Sequence, residues 1–241
     1  MTTVIILAGG LGKRMNSDLP KVLHCVGNVP MIVRIIREAN KMDPNRILIV
    51  VGKYREIIEN VIQNSPNIPY EKIIYVDQSI PKGTGHAIMC CLRYIQPQQP
   101  ILILSGDIPL IQTDTMRRMM GGLNDFCIMT TMMETPTGYG RLIKDSNNQY
   151  CIIEETDCND IERECKAVNC GIYSTYGRIL IDYLWLITNN NSKGEYYLTD
   201  LVGALRDHNI SAQICEISEE NKHEVITVNT ETELNTVNTF I

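Results

Sequence analysis

Residues 4–14 read Val-Ile-Ile-Leu-Ala-Gly-Gly-Leu-Gly-Lys-Arg. The run Val4 to Leu7 is short, aliphatic and β-branched, as expected of a strand buried on both faces. It breaks at once into Gly9, Gly10 and Gly12, and then into two cations, Lys13 and Arg14. Glycines allow a backbone to approach a ligand closely and expose its N–H groups as donors. Cations directly after those donors suit a polyanion. The pattern predicts a phosphate-gripping loop at the carboxyl end of the first strand of an α/β sheet, where such folds place ligands. Leu7, Ala8, Gly9 and Gly10 are its nucleotide-binding candidates. A P-loop is excluded, because Arg14 and not Ser or Thr follows Lys13. A dinucleotide fingerprint is excluded, because Met15 stands where the third glycine would be. A glycine-rich turn without a ligand is the plain alternative.

Composition narrows the partners. With 241 residues, 44% apolar and 21% charged, the chain can bury a sizeable core. Its net charge of −6 and its lack of any block of five or six cations argue against nucleic acid. No apolar run approaches the ~18 residues of a membrane span, and no signal segment precedes the first strand. The expectation is a single domain over residues 1–241, cytoplasmic and without a membrane partner. The nine cysteines are irregularly spaced, with no C-x-x-C, and the four histidines form no H-x-x-x-H pair. Cys90, Cys127 and Cys151 sit in apolar runs and are read as small buried hydrophobes rather than a disulfide or zinc framework.

Strands and helices alternate through the first half. Pro30 opens a helix with Ile32, Ile35, Ile36 and Ala39 on one face. Strands are expected at 46–51, 72–76, 101–104 and 126–133. Helices are expected at 54–62, with Ile57, Ile58 and Val61 inward, and at 85–94. Thr113 or Asp114 caps another helix, whose Met116, Met119, Met120 and Leu123 form a core stripe. The second half predicts paired strands at 139–144 and 149–154 across an Asp145–Asn148 turn, and a strand at 168–174. Helices follow at 177–186 and 198–207, short strands at 212–216 and 225–228, and a closing helix at 231–240. Trp185 is expected to pack. The β-α-β-α order argues for a mostly parallel sheet covered on both faces.

Three further stretches carry chemistry. Pro20 stiffens the backbone that presents Lys21, in Asp18-Leu19-Pro20-Lys21-Val22-Leu23-His24. Gln78 precedes Gly83-Thr84-Gly85, a turn opening a helix; a glutamine amide can pair with both a donor and an acceptor on a uracil edge. Ser105-Gly106-Asp107 ends a buried strand, which suits a carboxylate holding Mg²⁺, an ion that takes few protein ligands plus substrate phosphates. A turn-forming Asp is the alternative there. His24 and His86 are read as packing.

LAGGLGKRM at 7–15 resembles the signature loop of sugar nucleotidyltransferases, which join a nucleoside triphosphate to a sugar 1-phosphate. SDLPKVLH at 17–24 and EYYLTD at 195–200 are similar to strings of N-acetylglucosamine-1-phosphate uridylyltransferases, the pyrophosphorylase part of a bifunctional bacterial enzyme. The resemblance runs from the first loop to Asn229. It implies a Rossmann-like three-layer, mostly parallel sheet, the nucleotide-diphospho-sugar transferase fold, with a small β-rich sugar-binding lobe. It implies UTP and a sugar 1-phosphate as substrates and Mg²⁺ as cofactor, held by Asp107 and Asn229. Arg14 and Lys21 carry over as catalytic cations, and Gln78, Gly83, Thr84, Ser105 and Gly106 as nucleotide positions. Gly140, Glu154, Asn169, Thr199 and Asn229 carry over to the sugar side, with Glu155 competing with Glu154, since one residue of shift flips a strand side chain. Gly9 and Leu11 depart from the Ala and Lys usual in the bacterial loop, towards thymidylyl- and guanylyl-transferring relatives. No hexapeptide repeats follow, so the left-handed β-helix acetyltransferase domain is expected to be absent.

The implied reaction is in-line attack on the α-phosphorus of UTP, which needs positioning and charge neutralisation more than a base. Alternatives are the same chemistry with another nucleotide or sugar, such as dTTP and glucose 1-phosphate, or a non-catalytic regulatory relative. Oligomeric state is not legible.

Overall fold

The structure, a computed structural model, describes residues 2–10, 12–15, 17–145 and 149–241, with Lys13 described by its backbone only. Leu11, the Lys13 side chain and Ser146 to Asn148 of the expected turn therefore lie outside the described residues.

The first half runs β1 (Thr3–Leu7), a short pair β2 (Cys25–Val26) and β3 (Val29–Pro30), α1 (Met31–Asn40), β4 (Arg46–Val51), α2 (Arg55–Gln63), β5 (Ile73–Asp77), α3 (Thr84–Cys91), β6 (Pro100–Ser105), α4 (Thr113–Gly121) and β7 (Phe126–Met132). The second half runs β8 (Arg141–Lys144), β9 (Tyr150–Ile153), α5 (Asp160–Arg163), β10 (Ala167–Tyr176), α6 (Gly177–Tyr183), α7 (Asp200–Asp207), β11 (Gln213–Glu216) and α8 (Glu231–Asn238). The main sheet has the order β11-β7-β10-β6-β1-β4-β5. β1, β4, β5 and β6 are parallel, whereas β10 is antiparallel to β6 and β7. The β8–β9 hairpin hangs from the far end of β10.

Alternation along β1 explains the three layers. Val4 and Ile6 join a core with α1, α2 and α4, and Ile5 faces a second core with α3, α6 and α7. Met116 and Met119 are buried in the first, with Met120 and Leu123 packed against it, as their helical spacing requires. A third, smaller core gathers Met15, Val26, Met31, Leu110, Val228 and Val237. It seats the end of the glycine loop against the segment before Asn229.

Several local expectations change. On α2 Ile58 and Ile62 are buried and Val61 packs against the same core as expected, whereas Ile57 is 48% exposed and Ile62 takes its inward place. α3 tightens at Cys91 into a 3-10 turn, Leu92–Tyr94. Residues 225–228 form no strand: a 3-10 turn covers Glu219–Val225, and the Val228 N–H donates to the Asp107 carbonyl at 2.9 Å instead of to a ladder. Trp185 is 72% exposed, and its indole N–H donates to the Asp182 carbonyl. No side chain caps α4; the Thr113 hydroxyl instead donates to the Glu38 carbonyl and carboxylate. α5, begun by an Asn159–Glu162 capping box, was not anticipated. Cys127 is buried, Cys90 and Cys151 are half-buried, and all nine cysteines are free.

Candidate active site

Parallel pairing brings the chemical residues to one edge. Leu7 lies beside Val50 and Ser105 in register. The Gly106 N–H donates to the Leu7 carbonyl at 3.0 Å, and the Gln78 N–H to the Val51 carbonyl at 2.8 Å. The carboxyl ends of β1, β4, β5 and β6 thus surround a cleft of about 630 Å³, large enough for a nucleotide. Leu7, Gly9, Gly10, Lys21, Gln78, Gly83, Thr84, Ser105 and Asp107 line it, with Glu195, the first residue of the EYYLTD string, and Lys193, which sequence reasoning did not single out. Ala8 and Gly106 are buried behind the wall and contribute backbone. Gly12 has φ +60°, and a Cβ there would stand 2.8 Å from the Lys21 Cβ, so glycine lets the loop lie on the lysine.

The Lys21 ammonium pairs with the Asp107 carboxylate and donates to Asn229 Oδ1 at 2.9 Å. Arg14 donates to the same Oδ1 at 3.0 Å. The Ser105 hydroxyl donates to the other Asp107 oxygen at 2.6 Å. Burial pushes the Asp107 carboxyl up, but the Lys21 charge and hydrogen bond, with that of Ser105, more than offset it and hold it below its usual range. A carboxylate and an amide oxygen from distant parts of the chain therefore converge on one cationic group. Both are hard oxygen donors, the class that divalent magnesium takes. The donor set fits Mg²⁺, which completes its shell with water and phosphate oxygens.

Asn229 is oriented from behind. Its Nδ2 donates to Thr227 Oγ1 at 3.2 Å, and Thr227 donates to the Tyr139 hydroxyl through its own hydroxyl at 3.0 Å and its backbone N–H at 3.2 Å. Its backbone N–H donates to Glu233, whose capping box with Thr230 starts α8. The amide nitrogen is thus engaged on the protein side, leaving Oδ1 to the cations.

Of the expected sugar residues, Gly140, Glu154, Asn169 and Thr199 form a second cluster, whereas Asn229 sits with Arg14 and Lys21. The Asn169 N–H donates to the Gly140 carbonyl at 2.9 Å, and the Thr199 hydroxyl to Glu154 Oε1 at 2.9 Å. Asn169 Nδ2 donates to the Tyr173 hydroxyl at 2.6 Å. A register shift in β10 between Asn169 and Tyr173 brings Gly171 against Ser105, which joins this cluster to the cleft. Burial raises the Glu154 pKa, partly opposed by the Thr199 hydrogen bond. Glu155 turns the other way and pairs at 2.6 Å with Arg141, a fully buried arginine that nothing in the sequence marked out. Glu154 is therefore the one that faces the cluster.

At the opposite end, Gly83 begins α3 with φ +100°; a Cβ there would come within 2.5 Å of the Tyr196 carbonyl. The Gly85 N–H donates to that carbonyl at 2.8 Å, and the Leu198 N–H to the Thr84 hydroxyl at 2.9 Å. The stretch 195–200 thus braces the turn. His86, expected to pack, instead contacts the Gln78 amide.

The MobA-like NTP transferase domain family matches residues 4–145, more than half of the chain. A relative in Acanthamoeba polyphaga mimivirus, named a probable UDP-N-acetylglucosamine pyrophosphorylase, is 42% identical over 83% of this chain and 80% of its own length. The chain belongs to the MobA-like NTP transferase family. This family member is also similar to the bifunctional protein GlmU of Caldanaerobacter subterraneus subsp. tengcongensis, at 38% identity over 95% of the chain and 49% of that protein. The GlmU of Francisella tularensis subsp. novicida is 35% identical over 96% and 50%. The chain thus spans about half the length of these bifunctional relatives. A Bacillus anthracis structure described as a glucose-1-phosphate thymidylyltransferase superposes with a TM-score of 0.76 at 19% identity, covering all of this chain and 95% of that one, and shares the fold. Among the described residues no helix is long and apolar enough to cross a membrane.

Proposed function

We propose that the protein transfers a uridylyl group from UTP to N-acetylglucosamine 1-phosphate, releasing pyrophosphate, as one nucleotidyltransferase unit. The observation that carries this reading is the meeting of Arg14, Lys21, Asp107 and Asn229 beside the glycine loop. The relatives' names support the choice of uridine and amino sugar. Gln78 meets the base, and Glu154, Asn169 and Thr199 meet the hydroxyls and acetamido group of the sugar. Such polar groups reject analogues that leave them unpaired.

Asp107 and Asn229 would hold Mg²⁺, which when bound supplies positive charge to the phosphate oxygens of both substrates. The rest falls to the chain. Backbone N–H groups of the glycine loop and Arg14 hold the leaving phosphates. Lys21 neutralises charge developing at the α-phosphorus. The two substrates are held in line in one cleft, so no general base is required.

The test is pyrophosphate release across nucleoside triphosphates and sugar 1-phosphates. UTP with N-acetylglucosamine 1-phosphate is expected to give the highest kcat/KM. Asp107→Ala and Lys21→Ala should fold and turn over at least ~10²-fold more slowly. A preference for another pair reassigns the substrates, and near-normal turnover by either variant contradicts the role assigned to that residue.

A further inference from the structure

Gln78 is 6% exposed, and its amide nitrogen is held by protein partners. Nε2 donates to the Gly83 carbonyl at 2.9 Å and lies 3.1 Å from His86 Nδ1. A carbonyl can only accept, so Gly83 requires the nitrogen on its side. That carbonyl is itself fixed, because it takes the Ala87 N–H at 3.1 Å in the first turn of α3, and because the Tyr196 backbone packs against Gly83. Nδ1 accepts when the ring is neutral with its proton on Nε2. Burial, and then the Lys82 charge, lower the His86 pKa, which favours the neutral ring at neutral pH. Both amide hydrogens are then occupied. Oε1 is left on the side of Gly9, a cleft-lining residue, 3.2 Å from where a Cβ of Gly9 would stand.

We infer that His86 is a specificity-determining positioning residue: with Gly83 it locks the Gln78 amide so that only its oxygen reads the base. An acceptor fixed there takes the N3–H of uracil. Cytosine presents a lone pair at N3, and two acceptors face each other. Thymine keeps the N3–H, so this lock separates uracil from cytosine and not from thymine. The inference rests on a uridine nucleotide being the substrate.

The experiment compares kcat/KM for UTP and CTP in wild type, His86→Leu and His86→Asn. Leucine removes the acceptor and frees the amide to turn; the UTP-over-CTP ratio should fall about tenfold, the worth of one hydrogen bond. Asparagine places a carbonyl oxygen near the position of Nδ1 and should keep most of the preference. An unchanged ratio in His86→Leu overturns the inference, because a purely structural role would lower both rates together. Should His86→Leu fail to fold, ¹⁵N NMR of the wild-type protein decides: the proton on Nε2 at neutral pH supports the lock, and a proton on Nδ1 overturns it. A wild type that does not use UTP at all sinks the substrate reading, while the NMR experiment still decides the lock.

Discussion

At the residue scale, Asp107 and Asp200 show how position sets the sign of a carboxyl's contribution. Asp107 has its pKa lowered from 3.8 in the fold, so its pairing stabilises above that value and is lost as pH falls through the lower, folded pKa. The Tm gap between wild type and Asp107→Asn should therefore be widest above about pH 4 and should close in stronger acid, as read by thermal melts across pH. Asp200 is the reverse case. Burial first, and then the neighbouring Glu154 and Asp157 charges, raise it to about 6. A raised carboxyl binds more protons folded than unfolded, so stability falls as pH rises from 3.8 to about 6. Asp200→Asn should raise Tm at pH 7 and leave it nearly unchanged near pH 4; equal shifts at both would contradict the assignment.

At the element scale, the segment carrying Asn229 owes its place to contacts that no local pattern announces. Tyr139→Phe removes the acceptor of both the Thr227 N–H and its hydroxyl, and each half-buried donor left unpaired costs about 1–3 kcal/mol. It should lower Tm and raise the Mg²⁺ concentration needed for half-maximal turnover, and an unchanged Mg²⁺ requirement would mean that Tyr139 does not orient Asn229. The strands β1, β4 and β6 were legible because buried parallel strands read as unbroken aliphatic runs ended by glycine or a polar turn. The face of α2 was legible only in part, since Ile57, Ile58, Val61 and Ile62 allow more than one inward set: Ile58 and Val61 meet the core, and Ile62 does so in place of Ile57. Val225 to Val228 looked like a strand because its composition suits one, but the Val228 N–H is taken by the Asp107 carbonyl. Trp185 was misplaced because an apolar stretch does not say which side meets the sheet.

For the whole molecule, the three cores explain why one cleft can be assembled from both ends of the chain. Two of them sandwich the sheet, and the third pins Met15, next to Arg14, to Val228, next to Asn229. The cluster of Glu154, Asn169 and Thr199 sits on the β8–β10 side and the Gln78 turn on the β5–α3 side, with Ser105 and Asp107 between them. Resemblance identified most of these positions, whereas Tyr139, Thr227 and His86 became visible only with their partners. The central claim is that Asp107 and Asn229 share one cation. Anomalous diffraction from crystals grown with UTP and Mn²⁺, a substitute for Mg²⁺, tests it most directly. The account predicts a single strong peak within coordination distance of both the Asp107 carboxylate and Asn229 Oδ1; a peak bound to neither, or no ordered ion beside the nucleotide, would contradict it.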